Sequence, residues 1–116
     1  MNNYNLQRFI DAQQDMYSIA LSEIKNGKKE SHWIWFIFPQ LSGMGHSYTS
    51  KFYAIENHEE AVAYLKDNEL SHHLREITKH LLSLEDLSAV QIMGYIDAKK
   101  LLSCMTLFDL VSPHDI

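Results

Sequence analysis

The chain has 116 residues, 46% of them hydrophobic and 22% charged, which is ordinary for one globular domain with a single core. The net charge of −5 excludes a broad nucleic-acid-binding face, which has to be basic. The one cysteine, Cys104, rules out an internal disulfide and a cysteine-based zinc site, and no apolar run reaches membrane-spanning length.

In chain order, residues 6–26 read as a helix. Leu6, Phe9, Ile10, Met16, Tyr17, Ala20, Leu21 and Ile24 recur at helical spacing. Asn3 or Asn5 is expected to cap its start, and Gly27 to close it in the left-handed region. Arg8, Asp11, Asp15 and Lys25 fall on the opposite face, expected to meet solvent. After a basic turn comes the densest stretch of unusual residues, Ser31 to Ser47, SHWIWFIFPQLSGMGHS. Composition permits a buried strand for HWIWFIF, but there is no second strand to pair with it. The expectation is therefore a helix capped by Ser31 and ended by Pro39.

Residues 40–48 form a loop in which Gly43 and Gly45 allow close backbone approach. Ser47, Thr49 or Ser50 starts a short helix through Phe52, Tyr53 and Ala54. Asn57 and Glu60 resemble a capping box, and Asp67 and Asn68 break the helix that follows. Another helix runs over about 70–82. Ser83 is expected to cap the next, which ends at Gly94, and Asp97 to cap the last, AKKLLSCMTLFDLV. That last helix is apolar around much of its circumference, which predicts a central position. The result is an all-α fold, a single domain over 1–116 of six or seven short helices around an apolar C-terminal helix.

Several residues carry possible chemistry. His32 and Gln40 are polar beside apolar sequence, so each needs a protein or ligand partner. The loop GMGHS offers backbone N–H groups to an anion, although it matches neither a Walker A nor a dinucleotide fingerprint. Lys99, Ser103 and Thr106, with Lys100 beside Ser103, form a polar line on the last helix. His72, Glu76 and His80 share one helix face, but the histidines are too far apart for one metal, and a solvated face is expected. No metal site is expected and no cofactor is indicated. Cys104 reads as a packed side chain rather than a nucleophile. Asp97 is an acid–base partner for His32 only if the fold brings them together.

The strings SHWIWFIFPQLSGMGHSYTSKFYAI and MGYIDAKKLLSCMTLF resemble a bacterial family of unknown function often mislabelled calpastatin. Nothing in the chain is similar to the animal calpain inhibitor. The resemblance runs from the first helix to Phe108, departing at Met93, where relatives commonly have phenylalanine. It implies an all-helical single domain and no established activity. It also implies that relatives continue for another helix beyond Pro113. On that reading the chain is short at its C-terminus, and exposed apolar surface or self-association is expected.

These readings converge on a cytoplasmic domain that binds a small anionic or nucleotide-like ligand. The expected site comprises His32, Trp35, Gln40, Gly45, Ser47, Tyr53, Lys100 and Ser103. His32 is the best acid–base candidate should there be catalysis, and Trp35 or Tyr53 the stacking surface. Two alternatives remain open: an interaction module anchored by outward-facing tryptophans, or a purely structural motif. No nucleic-acid or membrane partner is expected.

Overall fold

The structure is a computed structural model and describes residues 5–43, 45–84 and 86–113. Seven helices occupy the described residues: α1 (Gln7–Lys25), α2 (Ile34–Ile37), α3 (Tyr48–Phe52), α4 (His58–Lys66), α5 (Asn68–Leu82), α6 (Ala89–Met93) and α7 (Tyr95–Val111). They contain no strand; one isolated parallel bridge joins Leu41 to Ile55. The all-α expectation holds.

Phe9, Gln13, Tyr17, Ala20 and Ile24 place one stripe of α1 in the core, against α5 and α2. Leu70, Leu74 and Ile77 supply the facing stripe of α5. Gln13 is the polar member of this seam and is fully used. Its amide donates to the Phe36 carbonyl (2.7 Å) and the Tyr64 hydroxyl (3.1 Å), and its oxygen meets His73 Nδ1 at 2.7 Å.

Local capping differs from expectation at several ends. Leu6, not Asn5, holds the α1 N-cap position, without a side-chain bond; Asn3 lies outside the described residues. Gly27 does close α1 with φ +76°, and a Cβ there would sit 2.8 Å from Leu87. Asn57 caps α4 by accepting the Glu60 N–H, but the Glu60 carboxylate accepts from Glu56 N rather than from Asn57. Asp67 both ends α4 and caps α5. Ser83 closes α5 instead of opening the next helix. Ser88 opens α6, in a capping box with Gln91. The N-cap of α7 is Gly94 (φ +86°), which puts Asp97 in the first turn rather than at the cap.

The aromatic stretch departs most. Only Ile34–Ile37 is helical, and Ser31 caps nothing. Trp33 sits outside helical geometry (φ −133°) because its indole is drawn into the core beside Glu23, to which its Nε1–H donates at 2.9 Å. Pro39 keeps Phe38 out of helical geometry (φ −121°, ψ 77°), and the chain then pairs briefly with residue 55: Ile55 N donates to the Gln40 carbonyl and Ser42 N to the Ile55 carbonyl. These two bonds pin the base of the glycine loop. Finally, α7 is apolar on two sides, but only one enters the core, through Leu101, Cys104 and Phe108.

Candidate functional site

The aromatic stretch and the glycine loop close around a small cavity of about 50 Å³. Trp35, Gln40, Gly45, Ser50 and Lys51 contribute to its lining. Gln40 is only 3% exposed, and its Nε2 has no hydrogen-bond partner. A buried amide nitrogen left this way forfeits free energy on the order of 1–3 kcal/mol unless an acceptor reaches it.

Gly45 is required by packing rather than by its backbone angles. A Cβ at this position would lie 2.7 Å from Ser50 Cβ and Oγ and 2.9 Å from the Trp35 ring. Gly45→Ala is therefore expected to destabilise the protein by about 1–3 kcal/mol. A urea titration measures this, and an unchanged midpoint would show that the loop does not pack as described.

Lys100 Nζ lies 4.3 Å from the Trp35 ring centroid, so a cation already covers one face of that indole. The same ammonium is 3.3 Å from Asp97 Oδ1, while Lys29 Nζ is 2.8 Å from Asp97 Oδ2 and 4.9 Å from the Trp33 ring centroid. Asp97 thus bridges two lysines, each resting on a tryptophan. Burial raises its pKa, but the Lys29 hydrogen bond and charge, with those of Lys100, more than reverse this, and the net shift is downward. The expected Asp97–His32 pair does not form: His32 is exposed, and Asp97 is engaged by lysines.

Of the sequence-predicted residues, Trp35, Gln40 and Gly45 come together at the cavity, and Lys100 joins them through Trp35. Ser47 stands behind it as the α3 N-cap, accepting the Ser50 N–H at 3.1 Å. Tyr53 faces an aromatic group with Phe9, Phe36 and Phe52, and burial is the leading cause of its raised pKa. Ser103 lines a separate groove with Leu41 and Leu102. His32 lies outside the cavity lining.

Sequence reasoning missed Lys51, which lines both this cavity and a second cleft of about 380 Å³ shared with Arg8, Phe52 and Glu60. Its signal was position alone, next to Ser50 within the motif. It also placed Arg8 in solvent. Arg8 instead pairs with Glu60 at 2.9 Å, their side chains 7% and 2% exposed, and donates to the carbonyls of Phe52 and Ala54 at 2.8 Å each. It thereby fixes the end of α3.

On α5, His72 and Glu76 are 4.0 Å apart, and Glu76 accepts the Tyr17 hydroxyl at 2.5 Å. That hydrogen bond is the main reason the Glu76 pKa falls. No group of three or more potential metal ligands occurs among the described residues.

The molecule is thus an all-helical domain with a small cavity under a glycine loop, lined in part by an unpartnered amide. Residues 3–116 match a family described as a protein of unknown function, DUF1810, and the chain belongs to that family. It is similar to the crystal structure of the conserved hypothetical protein Rv1873 from Mycobacterium tuberculosis. The two are 39% identical with a TM-score of 0.93 over 96% of this chain and 79% of that one. No curated protein matches the chain. No helix among the described residues is long and apolar enough to cross a membrane.

Proposed function

We propose that the cavity beneath the glycine loop binds a small anionic ligand, which enters it with one oxygen-bearing group, a carboxylate or a phosphate. The unpartnered Gln40 Nε2 carries this reading. It offers N–H donors to an acceptor, and an oxyanion is the strongest acceptor available. Lys51 in the lining supplies positive charge, and a second cation, Lys100, rests on the lining residue Trp35. A cavity of about 50 Å³ accommodates one such group and not a whole nucleotide. The body of a larger ligand would lie over the second cleft, which shares Lys51 and Ala54 and whose volume falls within the range of ligand pockets.

The described lining brings no histidine or carboxylate to the cavity, which favours binding over acid–base catalysis. An interaction module anchored by tryptophans fits less well. Trp33 is fully buried and Trp35 half-buried, so neither presents an outward anchor.

The test is a thermal-shift series with inorganic phosphate, acetate, ribose 5-phosphate and AMP on wild type, Gln40→Leu and Lys51→Gln. At least one anion is expected to raise the wild-type Tm and to lose that effect in both variants. Gln40→Leu without ligand should melt at or slightly above the wild-type temperature, because it removes an unsatisfied buried donor. A folded wild type that responds to none of the four anions, or a shift that survives Gln40→Leu, would overturn the assignment.

A further inference from the structure

An apolar helix face needs cover, and of the two apolar sides of α7 only one is covered. Opposite its buried residues, Tyr95, Ile96, Leu102 and Leu110 are 64%, 70%, 68% and 74% exposed. Leu102, Thr106 and Leu110 follow one another at four-residue spacing along this face. With Leu41, Ser103 and Leu107 they line a groove of about 330 Å³. The Thr106 hydroxyl already donates to the Leu102 carbonyl at 2.8 Å, so the centre of the stripe can be dried without orphaning a polar group.

We propose that the part of this face from Leu102 to Leu110 is covered by the same part in a second copy of the chain, the two α7 helices running antiparallel about a two-fold axis at Thr106. The stripe is self-complementary in that arrangement. Leu102 lies four residues before Thr106 and Leu110 four after it, so each Leu102 packs on the partner's Leu110. Ser103 and Thr106 are small enough at the crossing for helix axes to approach to roughly 8–10 Å.

Charge selects the direction. Lys99 is exposed in the first half of the helix, while the last turn bears Asp109 and no basic residue. Antiparallel packing turns each Lys99 towards the carbonyl end of the partner's helix; parallel packing would set like ends together. The shared stretch from Leu102 to Leu110 is roughly 12 Å long and one helix wide. That is small beside the roughly 800 Å² per partner of a stable interface, so the dimer is of the weak, concentration-dependent kind.

Sedimentation equilibrium over a wide concentration range tests the pairing. The wild-type average mass should rise from 13.5 kDa towards twice that value. Leu102→Glu and Leu110→Glu should stay monomeric with their helical circular dichroism intact. Thr106→Cys should form a disulfide-linked dimer on mild oxidation, since Cys104 is fully buried, and adding Leu102→Glu should abolish the cross-link. A folded wild type that remains at 13.5 kDa throughout would overturn the proposal. A dimer that survives Leu102→Glu, or a Thr106→Cys protein that never cross-links, would overturn it equally.

Discussion

Glu23→Ala is expected to lower stability by about 3 kcal/mol or more, although Glu23 lies on a surface-facing part of α1. Its carboxylate accepts from Glu30 N (2.8 Å), Ser31 N (2.9 Å), Ser31 Oγ (2.5 Å) and the buried Trp33 indole (2.9 Å). Truncation leaves those donors without their acceptor, and the indole has no route to water. The same geometry dictates an acid dependence. Desolvation raises the Glu23 pKa, but the hydrogen bonds from Ser31, Glu30 and Trp33 outweigh it and bring the value to about 2. A folded-state pKa below the unfolded one gives stability that is fully present above the unfolded value and is lost as pH falls through the folded value. After allowance for solvent screening, this contribution is on the order of 2 kcal/mol. Urea titrations of wild type and Glu23→Ala should therefore show a gap that is constant from pH 7 to about 5 and narrows towards pH 2. A gap that stays constant to low pH would show that the carboxylate is not held as described.

Arg8→Ala should cost about 3–5 kcal/mol, because it strands the buried Glu60 carboxylate. The loss reaches the candidate site as well, since the guanidinium also holds the carbonyls of Phe52 and Ala54. Arg8→Met with Glu60→Leu should recover much of the stability, as apolar replacement of both partners removes the stranded charge. A double-mutant cycle in urea measures the coupling. Additive losses would show that the pair is not coupled in the folded state.

These two charged residues mark where the sequence stops being informative. The long helices were legible because α1 and α5 repeat their apolar residues at helical spacing, and the caps at Ser47 and Asn57 are local enough to be read. Arg8 sits on the polar side of a helical wheel, and nothing nearby in sequence announces a partner at Glu60. Glu23 is equally silent, since its partners come from the turn that follows the helix. That omission also explains the misread aromatic helix. The bond to Glu23 takes Trp33 inward outside helical geometry, and His32 beside it is exposed. Gln40 was legible as a polar residue at the end of an apolar run, and it is buried. The unsatisfied state of its amide depends on packing by Gly45, Ser50 and Trp35 and cannot be read from spacing.

The seam between α1 and α5 has a consequence for synthesis on the ribosome. The first helix made buries its apolar stripe against the fifth, so it emerges long before its partner. The helices α2 and α3, with four and five residues, are too short to persist alone. WIWFIF leaves the exit tunnel after α1, one of the helices that cover it, but long before α7, the other. The nascent chain must carry this apolar segment only partly covered until α7 is free as well.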